Sequence, residues 1–256
     1  MNQTSLFSRF LSGTAFTTLL LASGVALYSG MPQQAVAQDL YWNAGGTFGD
    51  GSSLVAGAGT WATNAANWTS DPTNMTGSGE NWPNGTGLNA IFTGLEQNYF
   101  SVTVDGTVDF DTITFDSSNS PPGVDDFNTL QFVGNGALRL APGSGNAGTL
   151  HRITSVQQIL EVSITNKADN SPTDLIIDGP GGANGVAWLT VLADLTYTGT
   201  TFLRTGLLDL GGYYPFETLY QNGSVAGDIV LSPSTRLSIW TASGNQTVTN
   251  TISSSD

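Results

Sequence analysis

The apolar positions of this chain alternate with polar ones from residue 100 onward. Phe100, Val102 and Val104 occupy every second position, and Asp-Gly follows at 105–106. Because successive side chains of a β-strand point to opposite faces, this spacing predicts a strand with one buried face. The alternation continues at 108 and 110 and resumes one residue out of phase at 113 and 115. That slip predicts a bulge or a corner near residues 111–112.

Similar short apolar runs recur towards the C-terminus, each bounded by Gly, Asn, Asp or Pro. They lie at residues 130–132, 138–140, 159–164, 175–177, 189–195, 207–210, 229–231 and 237–240. Apolar stripes with the 3.6-residue period of a helix are short, and residues 155–160 are the one helical candidate. The pattern therefore predicts an all-β fold.

Two all-β architectures fit these runs. A β-sandwich or jelly roll joins antiparallel strands by tight hairpins and carries polar side chains on its outer faces. A parallel β-helix, or β-solenoid, stacks coils of roughly 20–22 residues that bury one another's apolar faces. Short strands, corners with Gly or Asn, and outward Thr, Ser, Asn and Asp favour the solenoid. The sandwich or jelly roll is the alternative.

Residues 1–37 have the features of a secretory signal peptide. Arg9 lies in a short polar start, an apolar stretch covers residues 10–27, and Ala-Val-Ala at 35–37 suits a signal peptidase. A transmembrane anchor is the alternative, but Ser, Gly and Thr dilute the apolar stretch. We expect cleavage after Ala37, no membrane span in the mature chain, and a secreted or cell-surface location.

The remaining chain divides by composition into two parts. Residues 38–99 are rich in Trp and Gly and are predicted to form an N-terminal cap segment of the solenoid. Residues 100–256 are predicted to form its coils, which we expect to continue beyond residue 256. The first layer of a coil stack needs a cover, because an uncovered edge exposes apolar side chains and unpaired backbone groups.

Composition and charge exclude several classes of protein. The 256 residues include 20 acidic and 6 basic side chains, one His and no Cys, for a net charge of −14. Zinc and iron–sulfur sites need Cys or His ligands, and nucleic-acid binding needs clustered Lys and Arg. Both classes are therefore excluded. Export without Cys indicates a bacterial protein.

One stretch of the chain carries a recognisable motif. Residues 195–201 read Leu-Thr-Tyr-Thr-Gly-Thr-Thr, and residues 205–211 read Thr-Gly-Leu-Leu-Asp-Leu-Gly. This stretch resembles the autotransporter-associated β-strand repeat, in which a Tyr-Thr-Gly-x-Thr corner precedes a Gly-x-Leu-x-Leu-Gly strand. The Trp-containing region 57–115 is similar to the segment that leads into such repeats. Only one clear repeat unit is present, and the strand that usually precedes the corner is degraded at 185–189.

The resemblance implies a passenger-like parallel β-helix on the outer-membrane surface of a bacterium or outside the cell. It supplies no catalytic residues.

The titratable side chains form no recognised catalytic motif. His151 is the single histidine, and no nucleophile elbow accompanies it. Carboxylates cluster at Asp105, Asp109, Asp111, Asp116, Asp125 and Asp126. Such groups could hydrolyse glycosides or bind Ca²⁺, but a basic cluster and the Ca²⁺-binding nonapeptide repeat are both absent. We therefore predict no catalytic residue, no cofactor and no metal ion, with a polysaccharide lyase or glycoside hydrolase as the alternative.

Aromatic side chains are the remaining candidates for a binding site. Flat rings flanked by polar groups stack on the faces of sugars. The candidate glycan-stacking residues are Trp61, Trp68, Trp82, Tyr213 and Tyr214. For the tryptophans the alternative role is the apolar core of the cap.

The sequence as a whole predicts an exported, non-catalytic β-solenoid segment with a structural or adhesive role. Its expected partners are cell-surface or matrix glycans or further copies of the same protein, and nucleic acid is not among them. A lectin-like glycan-binding module is a further alternative.

Overall fold

Parallel strand pairing dominates the computed structural model, which describes residues 37–75, 77–93, 99–116, 129–153, 157–179, 188–213, 220–240 and 250–255. These ranges contain 23 strands and no helix, so the all-β prediction is confirmed. Within them, no helix suited to crossing a membrane is found. The signal-peptide prediction lies outside the described residues except for Ala37. The helical candidate at 155–160 is wrong where it is described, because Gln157–Leu160 is a strand.

The strands are short and follow one another closely. The first twelve are β1 Gln38–Trp42, β2 Gly59–Trp61, β3 Trp68–Thr69, β4 Leu88–Phe92, β5 Tyr99–Val104, β6 Thr107–Phe110, β7 Thr112–Phe115, β8 Thr129–Val133, β9 Ala137–Leu140, β10 Ala147–Arg152, β11 Gln157–Leu160 and β12 Ser163–Thr165. The others are β13 Asp174–Asp178, β14 Trp188–Val191, β15 Asp194–Leu195, β16 Thr201–Leu203, β17 Leu207–Leu210, β18 Gly212–Tyr213, β19 Tyr220–Gln221, β20 Ser224–Val225, β21 Ile229–Leu231, β22 Arg236–Ile239 and β23 Ile252–Ser254.

Three sheets hold most of these strands. Sheet A has nine strands in the order β23-β21-β16-β13-β10-β7-β4-β1-β3. Sheet B has seven strands in the order β2-β5-β8-β11-β14-β17-β22, and sheet C has three in the order β12-β9-β6. All neighbours in these sheets are parallel except β1 and β3. β15 and β20 form a further parallel pair, and β18 and β19 form an antiparallel pair.

The chain passes through sheets A, B and C in turn, and we call one such passage a rotation. β4, β5 and β6 belong to sheets A, B and C, and the next two sets of three strands repeat that order. Each strand therefore pairs with the strand one rotation later: Asp109 of β6 pairs with Arg139 of β9, 30 positions along the chain. These rotations are longer than the coils of roughly 20–22 residues expected for a solenoid.

The slip in apolar phase near residues 111–112 is a corner. β6 ends at Phe110 in sheet C, and β7 begins at Thr112 in sheet A. Val108 and Ile113 are both fully buried, so the apolar side chains of each strand point into the same core from different sheets. A change of sheet, without a bulge inside one strand, explains the change of phase.

Two stacked corners require glycine because successive backbones approach closely. A Cβ atom on Gly199 would lie 2.3 Å from the carbonyl oxygen of Thr173. A Cβ atom on Gly227 would lie 1.7 Å from the carbonyl oxygen of Gly199. The Thr200 N–H beside this contact donates to Asp174 Oδ1 at 2.7 Å, so the strand below also satisfies the backbone of the corner.

Parallel pairing places apolar residues in register along the core. Val102 pairs with Phe132, Phe132 with Leu160, and Leu160 with Val191, and all four are fully buried. Burial of such side chains contributes roughly 1.5–3 kcal/mol each relative to exposure, which makes this column a main source of stability.

The sheets continue across the predicted boundary at residue 99. β1 and β4 pair in parallel in sheet A, and β4 pairs in turn with β7. β2 pairs in the same way with β5 in sheet B. The described residues belong to one compact unit, and those on either side of residue 99 share its sheets.

Four tryptophans fill the core at the end formed by β1, β2 and β3. Trp42, Trp61, Trp68 and Trp82 are each 0% exposed. Ring centroids of contacting pairs lie 4.6 to 5.0 Å apart in tilted or edge-to-face arrangements. Such geometry adds favourable aromatic interaction to the large area that each ring buries. The Trp82 indole N–H also donates to the carbonyl oxygen of Asp109 at 2.8 Å.

We expect Trp82→Phe to lower the free energy of unfolding by about 1 kcal/mol more than Trp68→Phe does. Both changes remove similar ring area from the same cluster. Only Trp82→Phe removes a hydrogen bond, because the Trp68 indole N–H has no acceptor in the described part of the chain. Urea unfolding followed by circular dichroism measures the difference. Trp240→Phe is the control, because Trp240 is 47% exposed; equal losses at positions 68 and 82 would contradict the prediction.

Candidate functional site

The outer face of sheet B carries two parallel columns of side chains. In the first column, Tyr99 pairs with Thr129 and Thr129 with Gln157. Gln158 pairs with Leu189, which places the preceding residues, Gln157 and Trp188, side by side. We call Tyr99, Thr129, Gln157 and Trp188 the outer row. The adjoining second column consists of Ser101, Gln131, Ile159, Thr190 and Asp209.

The two exposed aromatic rings of the outer row are held in the same way. Tyr99 is 41% exposed and Trp188 is 39% exposed. The Tyr99 hydroxyl donates to Gln131 Oε1, and the Trp188 indole N–H donates to Asp209 Oδ2. In each case the acceptor belongs to the second column and to the next strand of the sheet. The hydrogen bond restrains the ring and leaves part of its surface accessible to solvent.

Further polar contacts extend this arrangement across the face. Gln157 Nε2 donates to Thr190 Oγ1 at 3.4 Å, and Gln131 Nε2 donates to Glu161 Oε1. Asp209 is only 3% exposed, and its Oδ1 has no hydrogen-bond partner in the part of the chain that the structure describes. A buried carboxylate oxygen without a donor is unfavourable and is best satisfied by a hydrogen-bond donor.

A hairpin and a cavity border the outer face of sheet B. A Cβ atom on Gly212, at the start of β18, would lie 3.5 Å from Thr190 Cγ2, so the β18–β19 pair begins over the second column. At the other end, a cavity of about 390 Å³ lies between Gly45 and residues 55–58 on one side and Tyr99–Ser101 on the other. The outer row therefore ends in a depression.

The three tryptophans predicted to stack on glycans are buried in the structure. Trp61, Trp68 and Trp82 belong to the aromatic core described above and have no exposed surface. Their rings offer no face to a sugar in this structure, which favours the alternative role as core residues. The backbone of Tyr213 forms part of β18, whereas its side chain and all of Tyr214 lie outside the described residues.

The carboxylates considered as a catalytic or Ca²⁺-binding cluster contact different parts of the fold. Asp109 is buried and forms a bidentate ion pair with Arg139, at 2.5 Å to Nε and 3.0 Å to Nη2. Asp111 Oδ2 accepts the Gly143 N–H at 2.9 Å, and Asp105 is exposed. Asp125 and Asp126 lie outside the described residues. Elsewhere, among the residues that the structure describes, no three His, Asp or Glu side chains are grouped as metal ligands.

His151 and Arg152 end strand β10 in different environments. His151 is half-buried and pairs in register with Asp178 of β13. Arg152 is almost fully buried, and its Nη2 donates to the Thr205 carbonyl oxygen at 2.8 Å. Burial lowers the pKa of Arg152 to about 10, and the charge of Asp178 opposes that shift. Arg152 thus links strand β10 to the corner before β17.

Sequence reasoning missed the residues that form the outer face of sheet B. Tyr99 and Trp188 each stand one position before a buried alternating run, so their parity marks them as outward. The sequence alone could therefore have identified these two residues as outward-facing. Their partners Gln131 and Asp209 could not be identified, because the pairing joins residues from different rotations of the chain.

Comparison of the chain with protein-family models, with curated proteins and with solved structures finds no match.

We expect Asp111→Asn to raise the melting temperature at pH 7 more than the matched change Asp105→Asn does. Burial raises the pKa of Asp111, and the Gly143 N–H opposes that shift. The folded chain therefore binds this proton more tightly than the unfolded chain, and ionisation at pH 7 weakens folding. The asparagine retains an acceptor for Gly143 and removes the buried charge.

The advantage of Asp111→Asn should narrow as the pH falls from 7 to 4, because the native carboxyl then becomes protonated. Asp105→Asn controls for the general effect of removing one negative charge from an acidic chain. Thermal unfolding at several pH values measures both variants. A stabilisation by Asp111→Asn that is absent at pH 7, or constant from pH 7 to pH 4, would contradict the raised pKa of Asp111.

Proposed function

We propose that this chain is an exported bacterial β-solenoid segment with a structural or adhesive role at the cell surface or outside the cell. The observation that carries the proposal is the constant parallel register of sheet B, which keeps equivalent side chains aligned from β5 to β17. A scaffold of this kind presents one continuous face to its surroundings, as elongated repeat proteins do.

The rotation of the chain through three sheets supports the solenoid over the sandwich or jelly roll. Sandwiches and jelly rolls are built from antiparallel strands. Here the antiparallel pairs between described strands are β1–β3 and β18–β19, and the three larger sheets are otherwise parallel. The buried tryptophans and the antiparallel strand β3 support an N-terminal cap, because they cover the first apolar layer.

The contacts of the aspartates favour a non-catalytic role. A glycosidase needs two carboxyl groups facing one substrate, one of them free to donate a proton. Asp109 instead neutralises Arg139 within sheet C, and the Asp111 carboxylate binds a backbone N–H at a corner. Both groups already serve the fold, so the carbohydrate-active enzyme remains the weaker candidate.

Export is proposed from the signal-peptide pattern at residues 1–37. The absence of Cys favours a bacterial over a eukaryotic source for an exported chain. Few positive charges and a net charge of −14 suit a protein that remains soluble outside the cell and avoids nucleic acid. The resemblance of residues 195–211 to the autotransporter-associated repeat points to the same location.

The full chain, expressed in a Gram-negative host, should leave the cytoplasm and begin at Gln38. Small side chains at positions 35 and 37 are required for cleavage, so Ala37→Leu should leave the leader attached. Fractionation and N-terminal sequencing measure both outcomes. Ala168→Leu, a change of the same type at an exposed position outside the leader, controls for effects on expression. A cytoplasmic chain with an intact N-terminus would overturn the proposed export.

The purified chain should release no new reducing ends and no unsaturated products from neutral or acidic polysaccharides. The enzyme alternative predicts product formation that is lost in Asp109→Asn combined with Asp111→Asn. A reducing-end assay and ultraviolet absorbance measure the two kinds of product. Turnover by the native chain that disappears in a double variant shown by circular dichroism to be folded would overturn the non-catalytic proposal.

A further inference from the structure

We propose that the outer face of sheet B binds a neutral polysaccharide chain, with Tyr99 and Trp188 as stacking platforms. This proposal rests on the adhesive role proposed above and names the chemical class of the partner. The site is formed by the outer row; Gln131 and Asp209 of the second column are buried and hold the two rings in place.

The two rings are pre-organised for stacking. The polar atom of each ring is already engaged, Tyr99 with Gln131 and Trp188 with Asp209. What each ring presents to a ligand is therefore apolar surface. A side chain that is already restrained loses little conformational entropy on binding. Sugars suit such a surface because their C–H groups pack on rings while their hydroxyls bind adjacent polar groups.

The separation of the rings fits a polymer better than a single sugar. β5, β8, β11 and β14 are successive strands of sheet B, so Tyr99 and Trp188 are three strand spacings apart. At about 4.8 Å per spacing this distance is about 14 Å, the length of a short run of pyranose rings. Thr129 and Gln157 lie between them in the same row. A chain lying along the stacking direction contacts all four residues.

Charge favours a neutral chain over an acidic one. The second column and its surroundings contribute the carboxylates of Asp209 and Glu161, and the whole chain has a net charge of −14. Carboxylates accept hydrogen bonds from sugar hydroxyls and repel uronic acids or sulfated sugars. Arg236 on β22 is a basic residue that continues the first column beyond Trp188 and Leu207.

The depression beside Tyr99 gives the site a defined end. It is lined by Gly45 and residues 55–58 on one side and by Tyr99–Ser101 on the other. The small residues among them leave room for a sugar ring beside Tyr99. The outer row and the depression together form a continuous surface from β14 to the edge beside β5.

The test uses the purified full chain in native affinity gels that contain mixed-linkage β-glucan, galactomannan or dextran. We expect at least one of these neutral polysaccharides to retard the chain. Tyr99→Ala and Trp188→Ala should each weaken that retardation about tenfold, which corresponds to loss of one aromatic contact. Trp240→Ala should leave it unchanged, because Trp240 is equally exposed but lies outside the row. Polygalacturonate should bind at least tenfold more weakly than the best neutral polymer.

Two further variants keep the test decisive if Trp188→Ala alters the fold. Tyr99→Phe removes the hydroxyl that binds Gln131 but keeps the ring, so it should retain more affinity than Tyr99→Ala. Gln157→Glu adds a charge midway along the row and should weaken binding without removing a ring. Circular dichroism verifies that each variant is folded.

Three results would overturn the proposal. They are no retardation of the native chain by any of the three neutral polymers, stronger retardation by polygalacturonate, and equal loss of binding in Trp240→Ala and Trp188→Ala. Self-association that depends on Trp188, with no binding of polysaccharide, would also overturn it in favour of a second copy as the partner. Each outcome is independent of cleavage after Ala37, so failure here is distinguishable from failure of the proposed export.

Discussion

The parallel register between successive strands is the constraint on which the rest of the structure depends. In a β-strand a shift of one residue moves every side chain to the other face. The pairing of Val102 with Phe132, and of later residues in the same column, therefore keeps the core apolar and the outer face polar at once. The ion pair between Asp109 and Arg139 follows from the same rule, since the two residues are direct partners across sheet C.

The first layer of a stack of paired strands has no neighbouring strand on one side. Its apolar side chains therefore need a separate cover. Tryptophan suits this position because one ring covers a large area and tolerates tilted contacts with other rings. The antiparallel strand β3 ends sheet A beside the same cluster, and the Trp82 N–H binds a carbonyl of β6. The same side chains would have been costly on the surface, which explains in physical terms why a Trp-rich segment proved to be core.

The alternation of apolar residues was sufficient to predict the strands from β5 to β9 and the all-β class. It could not distinguish a bulge from a corner at 111–112, because both shift the phase by one residue. The number of residues in one rotation could not be predicted either, because loops of different lengths can join strands that pair in the same register. The outward parity of Tyr99 and Trp188 was readable, but their surroundings depend on Gln131 and Asp209, which only the strand order brings near them.

The outer row is positioned by the core beneath it. Phe100, Leu130 and Leu189 are buried neighbours of outer-row residues, and their packing determines the height and spacing of the strands. In the proposed binding mode each exposed ring makes one weak contact, and affinity for a polymer depends on several contacts made at once. A fold that fixes this spacing at about 4.8 Å per strand converts weak contacts into a continuous surface. A change of register would therefore disturb the apolar core and the alignment of the outer row together.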